Sequence, residues 1–313
     1  MIRVVAFLSI ICFLIACEPG NIEELPMVHP KLAVFGDPEP GSPWLVSVSH
    51  TIPMFTRTFG PEGVSDATVK IFEGDQLIEQ LTCDCHFNDT VSKFKGITNG
   101  PVIGHTYRVE VAAGGYETAT AHYTQPPIVE IEDFTFEITG IQRSDPNSYI
   151  YSVSKTVAIE VTFTDPPGEN YYNIALTSRS RKDPSKEDSG FIFLHSDLFE
   201  YQTSETQQGQ FIDDKNFEGK RVTLKFSTQL RANIFLPLPG QDPAKRDTFA
   251  TPYLTFSLRN VAKELHEYNR FATSKVTFAP DAEPYLYSTN IENGIGIFAG
   301  FSASKRELEY GPF

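Results

Sequence analysis

The chain has 313 residues, 26 Lys and Arg against 40 Asp and Glu, and a formal net charge of −14. A surface this acidic repels phosphate backbones and anionic headgroups, which excludes nucleic-acid binding and charge-driven adsorption to membranes. With 40% apolar residues, including 25 Phe and 13 Tyr, it can fill hydrophobic cores, and its length suits two domains.

Residues 1–16 carry one charge, Arg3, ahead of an apolar run that ends at Ala16. This is a signal peptide, too short in its apolar part to span a bilayer as a mature helix. Leu14-Ile15-Ala16-Cys17 has the form of a bacterial lipobox. Cleavage after Ala16 leaves Cys17 first, with diacylglycerol on its thiol and an acyl chain of palmitate type on its new amino group. Each buried methylene contributes about 0.8 kcal/mol, so two or three chains anchor a protein without a spanning helix. Residues 17–30, CEPGNIEELPMVHP, are acidic and broken by proline, as befits a lipidated tether. The acidic residues soon after Cys17 resemble the surface-export signals of Bacteroidetes lipoproteins. The expected location is therefore the outer membrane, on its exposed face.

Residues 31–125 read as short strands. KLAVFG (31–36) stops at Gly36-Asp37-Pro38, and WLVSVSHTI (44–52) alternates. Residues 67–83 form a hairpin about Glu73-Gly74-Asp75, and residues 105–123 a second about Gly114-Gly115. Strands at this spacing without a helix predict an immunoglobulin-like β-sandwich. Pro126-Pro127 cannot continue a strand and marks the boundary.

Residues 128–305 form a second, larger β-rich domain, a sandwich or barrel-like sheet, and residues 306–313 a tail. Its strands are read in EDFTFEITGI, in TVAIEVTFTDPPGENYYNIAL (interrupted at Asp165-Pro166-Pro167-Gly168), and in GFIFLHS, RVTLKFST and YLTFSLRN. Leu258, Val261, Ala262, Leu265 and Tyr268 fall at helical spacing, predicting one amphipathic helix over 258–272 with Ser257 as its N-cap. The fold class is mainly all-β.

Four side chains have metal-ligating chemistry. Cys83 and Cys85 would share one face of a strand, which sets their Cα atoms near the upper limit for a disulfide. A soft-metal site with His86, two free thiols, or a local disulfide at a strand end all stay open. Asp213 and Asp214 could ligate calcium with Asn216 or Glu218, although the spacing is not that of an EF-hand; an exposed charged turn is the other reading. In NGIGIFAG, Gly294, Gly296 and Gly300 permit a bulge or close backbone approach, as in a final strand closing a sheet. A phosphate cradle would need a following Lys-Ser/Thr and helix, and neither is there.

The seven His, at 29, 50, 86, 105, 122, 195 and 266, form no His-Glu-x-x-His, and no Gly-x-Ser-x-Gly occurs. The reading is a non-enzymatic protein without a cofactor. A cell-surface hydrolase whose site assembles from distant segments is the alternative, as is a structural surface lipoprotein. Tyr171, Tyr172, Tyr201 and Trp44 are ligand-contact candidates by residue type, and each equally suits a core.

Five segments resemble one family of Bacteroidetes lipoproteins, domain-of-unknown-function family 4249. They are GVSDATVKIFEG (63–74), GHTYRVEV (104–111), FTDPPGENYYNIAL (163–176), FIDDKNFEGKRVTL (211–224) and STNIENGIGIFAGFSAS (288–304). The last is the most specific, and the Cys83–Cys85 pair is not part of the pattern. The resemblance implies an outer-membrane lipoprotein acting as a binding or accessory subunit of a TonB-dependent nutrient transporter. It brings no catalytic residues.

Overall fold

A computed structural model describes residues 29–52, 62–86, 89–143, 150–179, 190–192, 194–196, 210–235, 247–249, 253–273 and 288–309. The signal peptide with Ala16, the lipidation residue Cys17, most of the tether, and Tyr201 lie outside them. The N-terminal half supplies β1 (Leu32–Gly36), β2 (Leu45–His50), β3 (Thr68–Glu73), β4 (Gln76–Gln80), β5 (Thr82–Cys83), β6 (Ser92–Lys95), β7 (Thr106–Ala112) and β8 (Ala119–Thr124). Beyond Pro126-Pro127 come β9 (Asp133–Arg143), β10 (Ile150–Thr164), β11 (Tyr171–Arg179), β12 (Gly190–Ile192), β13 (Gln210–Asp213), β14 (Arg221–Phe235), β15 (Asp247–Phe249) and β16 (Tyr253–Val261). A helix, α1 (Lys263–Thr273), then precedes β17 (Gly294–Phe298) and β18 (Phe301–Glu309).

The strands form two sandwiches. In the first, the sheet β17-β1-β2-β6-β5 faces the sheet β4-β3-β7-β8. The alternation explains the packing: Val46 and Val48 of β2, Val69 and Ile71 of β3, and Tyr107, Val109 and Val111 of β7 all turn into one core. Trp44 lies at its centre, fully buried, its ring 5.1 Å from Tyr107 and 6.3 Å from Phe298. In the second, β15-β14-β10-β9 faces a sheet ordered β12-β11-β16-β18, with β13 also paired to β11. Val157, Ile159, Val161 and Phe163 of β10 meet Ile174 and Leu176 of β11 and Leu254, Phe256 and Leu258 of β16. The all-β reading holds, as a pair of sandwiches with no closed barrel among the described residues.

Three expectations need correcting. The helix begins at Lys263, not Leu258: residues up to Val261 belong to β16, and Ser257 is a buried strand residue rather than a cap. Leu254, Phe256 and Leu258 repeat every second residue into the second core, and that period overrides the helical one. The tail starts later than residue 306, since β18 runs to Glu309. Gly294–Phe298, read as part of the C-terminal sheet, crosses back to the first sandwich and pairs in parallel with β1, Leu32 opposite Gly294 and Gly36 opposite Phe298.

The return is possible because glycine sits where the strands touch. A Cβ on Gly296 would lie 2.1 Å from the Val34 carbonyl oxygen, and the residue has φ +108°. The preceding segment is stitched in by side-chain amides. Asn290 donates from Nδ2 to Phe298 O (2.8 Å) and accepts from Phe298 N–H (3.0 Å), and Asn293 Nδ2 donates to Thr118 O (3.2 Å). The most specific family motif is thus the staple that completes the first sandwich.

Candidate functional site: a cleft where the sandwiches meet

Among the described residues the chain passes between the sandwiches three times, after β8, at the β16–α1 corner, and from β17 to β18, and the first and last of these passages are hydrogen-bonded to each other. Those two both run from the first sandwich to the second. Buried Gln125 donates from Nε2 to Phe301 O (2.8 Å) and Ser302 Oγ (3.0 Å), and accepts from Tyr123 Oη (3.0 Å). Ser302 Oγ donates to Pro126 O (2.6 Å), Ile131 N–H to Ser304 Oγ (3.2 Å), and Asn260 Nδ2 to Pro127 O (3.0 Å). The Pro126 and Pro127 carbonyls lie past the end of β8, outside its ladder, and neighbouring side chains take them up.

Charge and packing reinforce the junction. Lys305 Nζ of β18 is 2.7 Å from Glu39 Oε1. The Arg259 guanidinium lies 4.7 Å above the Phe301 ring and donates to Asn173 Oδ1 (3.3 Å). Burial lowers its pKa, while Asp37 and Glu39 oppose the shift. The start of α1 joins the first core: Val261, Ala262 and Leu265 pack with it, and Tyr268 meets the Phe35 ring at 6.3 Å.

Two family motifs build the adjoining corner. DPPGENYY leaves β10, and FIDDKNFEGK carries β13 into a turn; β11 pairs with β13, Tyr171 opposite Asp213 and Tyr172 opposite Ile212. Buried Asp165 accepts from the Tyr172 hydroxyl and from Gly219 N–H (2.7 Å). Asp214 accepts from Asn170 N–H (2.7 Å), and Asn170 Nδ2 donates to Pro166 O and Gly168 O (both 2.8 Å). Burial pushes the Asp165 carboxyl up; the bonds from Tyr172 and Gly219 pull it back. The Tyr172 ring lies 5.2 Å from Phe163 and 6.1 Å from Phe217, so this tyrosine is core.

Outside this corner lies a solvent-open cleft of about 320 Å³, at the small end of the size range for small-molecule sites. One wall is Pro126 and Pro127 of the linker, another Glu169 and Tyr171, and the third is the β16–α1 corner with Asn260 and Lys263. Tyr171 Oη donates to Glu169 Oε2 (3.0 Å), and Lys263 Nζ stands 3.7 Å from the same oxygen. Burial and the Glu169 carboxylate push the Tyr171 hydroxyl up to about 12, so it stays a neutral donor. Its ring lies 4.8 Å from that of buried His266, whose pKa burial lowers to about 4. The cleft therefore presents the Tyr171 ring and hydroxyl, the Asn260 amide and the Glu169 and Lys263 side chains, suited to holding a small polar ligand by hydrogen bonds.

Of the ligand-contact candidates read from sequence that lie among the described residues, Tyr171 lines this cleft, whereas Trp44 and Tyr172 are core. Asp213 pairs with Lys215 (2.6 Å), and Asp214 is buried against Asn170. Among the described residues no group of three or more His, Cys, Asp or Glu is placed to hold a metal ion. Cys83 and Cys85 form a disulfide with Cα atoms 5.2 Å apart, well inside the ordinary range. The expected over-long separation does not arise because β5 ends at Cys83, so the two residues do not share an extended strand. Lys263, Asn260 and Glu169 were not singled out. Their one sequence signal was indirect: Pro126-Pro127 marks a boundary, and clefts favour domain boundaries.

A search of curated proteins finds no match to the chain. Among solved structures, a chain of a chaperone–tip adhesin complex of CFA/I fimbriae biogenesis is 10% identical, with 72% of this chain and 83% of that one covered. Its TM-score of 0.16 supports no argument about fold. The model of a family described as a domain of unknown function, DUF4249, matches residues 19–307, which takes in both sandwiches, the staple and the corner motifs. The chain belongs to the DUF4249 family.

Proposed function

We propose that this is an outer-membrane lipoprotein, anchored through Cys17, that serves as a binding or accessory subunit of a TonB-dependent nutrient transporter. The observation that carries the reading is the junction cleft, held between two sandwiches by hydrogen-bonded crossings and so shaped before any ligand arrives. A preformed polar site loses little freedom on binding. The lipobox supports the anchor, and the acidic, proline-broken tether lets the folded part stand off the lipid surface. A TonB-dependent barrel in the same membrane is the partner that such a subunit serves.

The test is purification of the native protein from detergent-solubilised outer membranes. Mass spectrometry of the N-terminal peptide should show an acylated Cys17, and a large β-barrel transporter should co-elute. Repeated recovery of the protein alone, or an unmodified Cys17 thiol, would overturn the reading.

A further inference from the structure

We infer that the Cys83–Cys85 disulfide is a thiol–disulfide exchange site that accepts electrons from a partner dithiol. This inference is independent of any transporter role. A bridge restrains the unfolded chain more as the loop it closes lengthens. This one joins residues with a sequence separation of 2 and so restrains very little. The connection is also held without it: Leu81 N–H donates to Val69 O (2.9 Å) and Asp84 N–H to Lys93 O (2.8 Å). A bridge with so little structural work to do, placed where thiols can reach it, fits a reactive role better than a structural one.

The placement gives the two sulfurs different parts. β5 is an edge strand of its sheet among the described residues, and Cys83 and Cys85 are both partly exposed. Cys83 packs against the first core, whereas Cys85 lies beyond the strand between exposed Asp84 and His86. His86 is positioned by Asp89, whose Oδ2 accepts from His86 N–H (2.7 Å) and stands 3.8 Å from its Nδ1.

In the exchange, a partner thiolate attacks Cys85 Sγ. The S–S bond breaks and its electron pair leaves on Cys83 Sγ. The partner's second thiolate then attacks the partner sulfur of the mixed disulfide and releases Cys85. The partner loses two electrons and two protons and becomes a disulfide; Cys83 and Cys85 gain both and become thiols.

The experiment uses the full chain with reduced glutathione as probe, differential alkylation and mass spectrometry of the peptide spanning Cys83 and Cys85. The bridge should open at least about tenfold faster than that of a reference protein whose disulfide closes a long loop. The double variant C83S/C85S should melt within about 5 °C of the parent. In C83S the remaining Cys85 should form a mixed disulfide with oxidised glutathione at least about tenfold faster than Cys83 does in C85S. A bridge that resists glutathione, a larger fall in melting temperature, or equal rates in the single variants would each overturn the assignment.

Discussion

Replacing Gly296 by Ala tests whether the returning strand is held by contact between backbones. The added methyl would lie 2.1 Å from Val34 O, 2.9 Å from Val34 C and 3.1 Å from Val34 N. All three atoms belong to the backbone of the paired strand, so no side-chain rotation relieves the clash. The φ of +108° is outside the regions open to L residues, and holding alanine there costs on the order of 1–3 kcal/mol. Pushing β17 away from β1 also uncovers Phe298, a fully buried ring whose burial contributes about 2–3 kcal/mol. The expected total is about 3–6 kcal/mol, which at about 2–4 °C per kcal/mol lowers Tm by roughly 10–20 °C. Gly115→Ala is the control. Its φ is +85° but nothing lies within 4 Å, so it carries backbone strain without a clash, about 1–2 kcal/mol. Thermal unfolding followed by circular dichroism compares the two. If both variants melt within about 2 °C of each other, close approach to Val34 is not what fixes this strand.

Two further outcomes can be checked by urea denaturation. Gln125→Leu removes the donor to Phe301 O and Ser302 Oγ and leaves the buried Tyr123 hydroxyl without its acceptor; a loss of about 3 kcal/mol is expected, and an unchanged midpoint would refute the role given to the crossings. His266 has its folded pKa lowered to about 4 by burial, with Asp213 raising it and Arg270 and Lys215 lowering it further. Below the ordinary His value near 6.5 the unfolded chain binds a proton that the folded chain refuses. This contribution to stability is therefore full above that value and is lost as pH falls towards about 4. Between pH 7.5 and pH 5 the parent should lose up to about 2 kcal/mol more than His266→Phe; parallel losses would refute the assignment.

The strands were legible because alternation is local. Val157, Ile159, Val161 and Phe163 announce a buried strand face within seven residues. The helix start was misjudged because Leu258 fits two periods, every second residue back to Leu254 and a helical spacing on to Leu265. Only the packed second core decides between them. The pairing of β17 with β1 has no local signal, since its partners come from opposite ends of the sequence. The three glycines indicated that a backbone would approach closely, but not which one. The cleft was hidden for the same reason. Linker, corner loop and helix start lie far apart in sequence, and Lys263 and Glu169 become neighbours only when β11 and β16 pair.

The staple also bears on the order of assembly. A chain synthesised from its N-terminus delivers β1 first and β17 nearly last, so the early module must wait with one flank open until the later one has emerged. Contacts this distant along the chain are slow to form. A nick or truncation near the C-terminus should therefore unseal the N-terminal module first, and limited proteolysis should find no long-lived fragment that ends before Gly294.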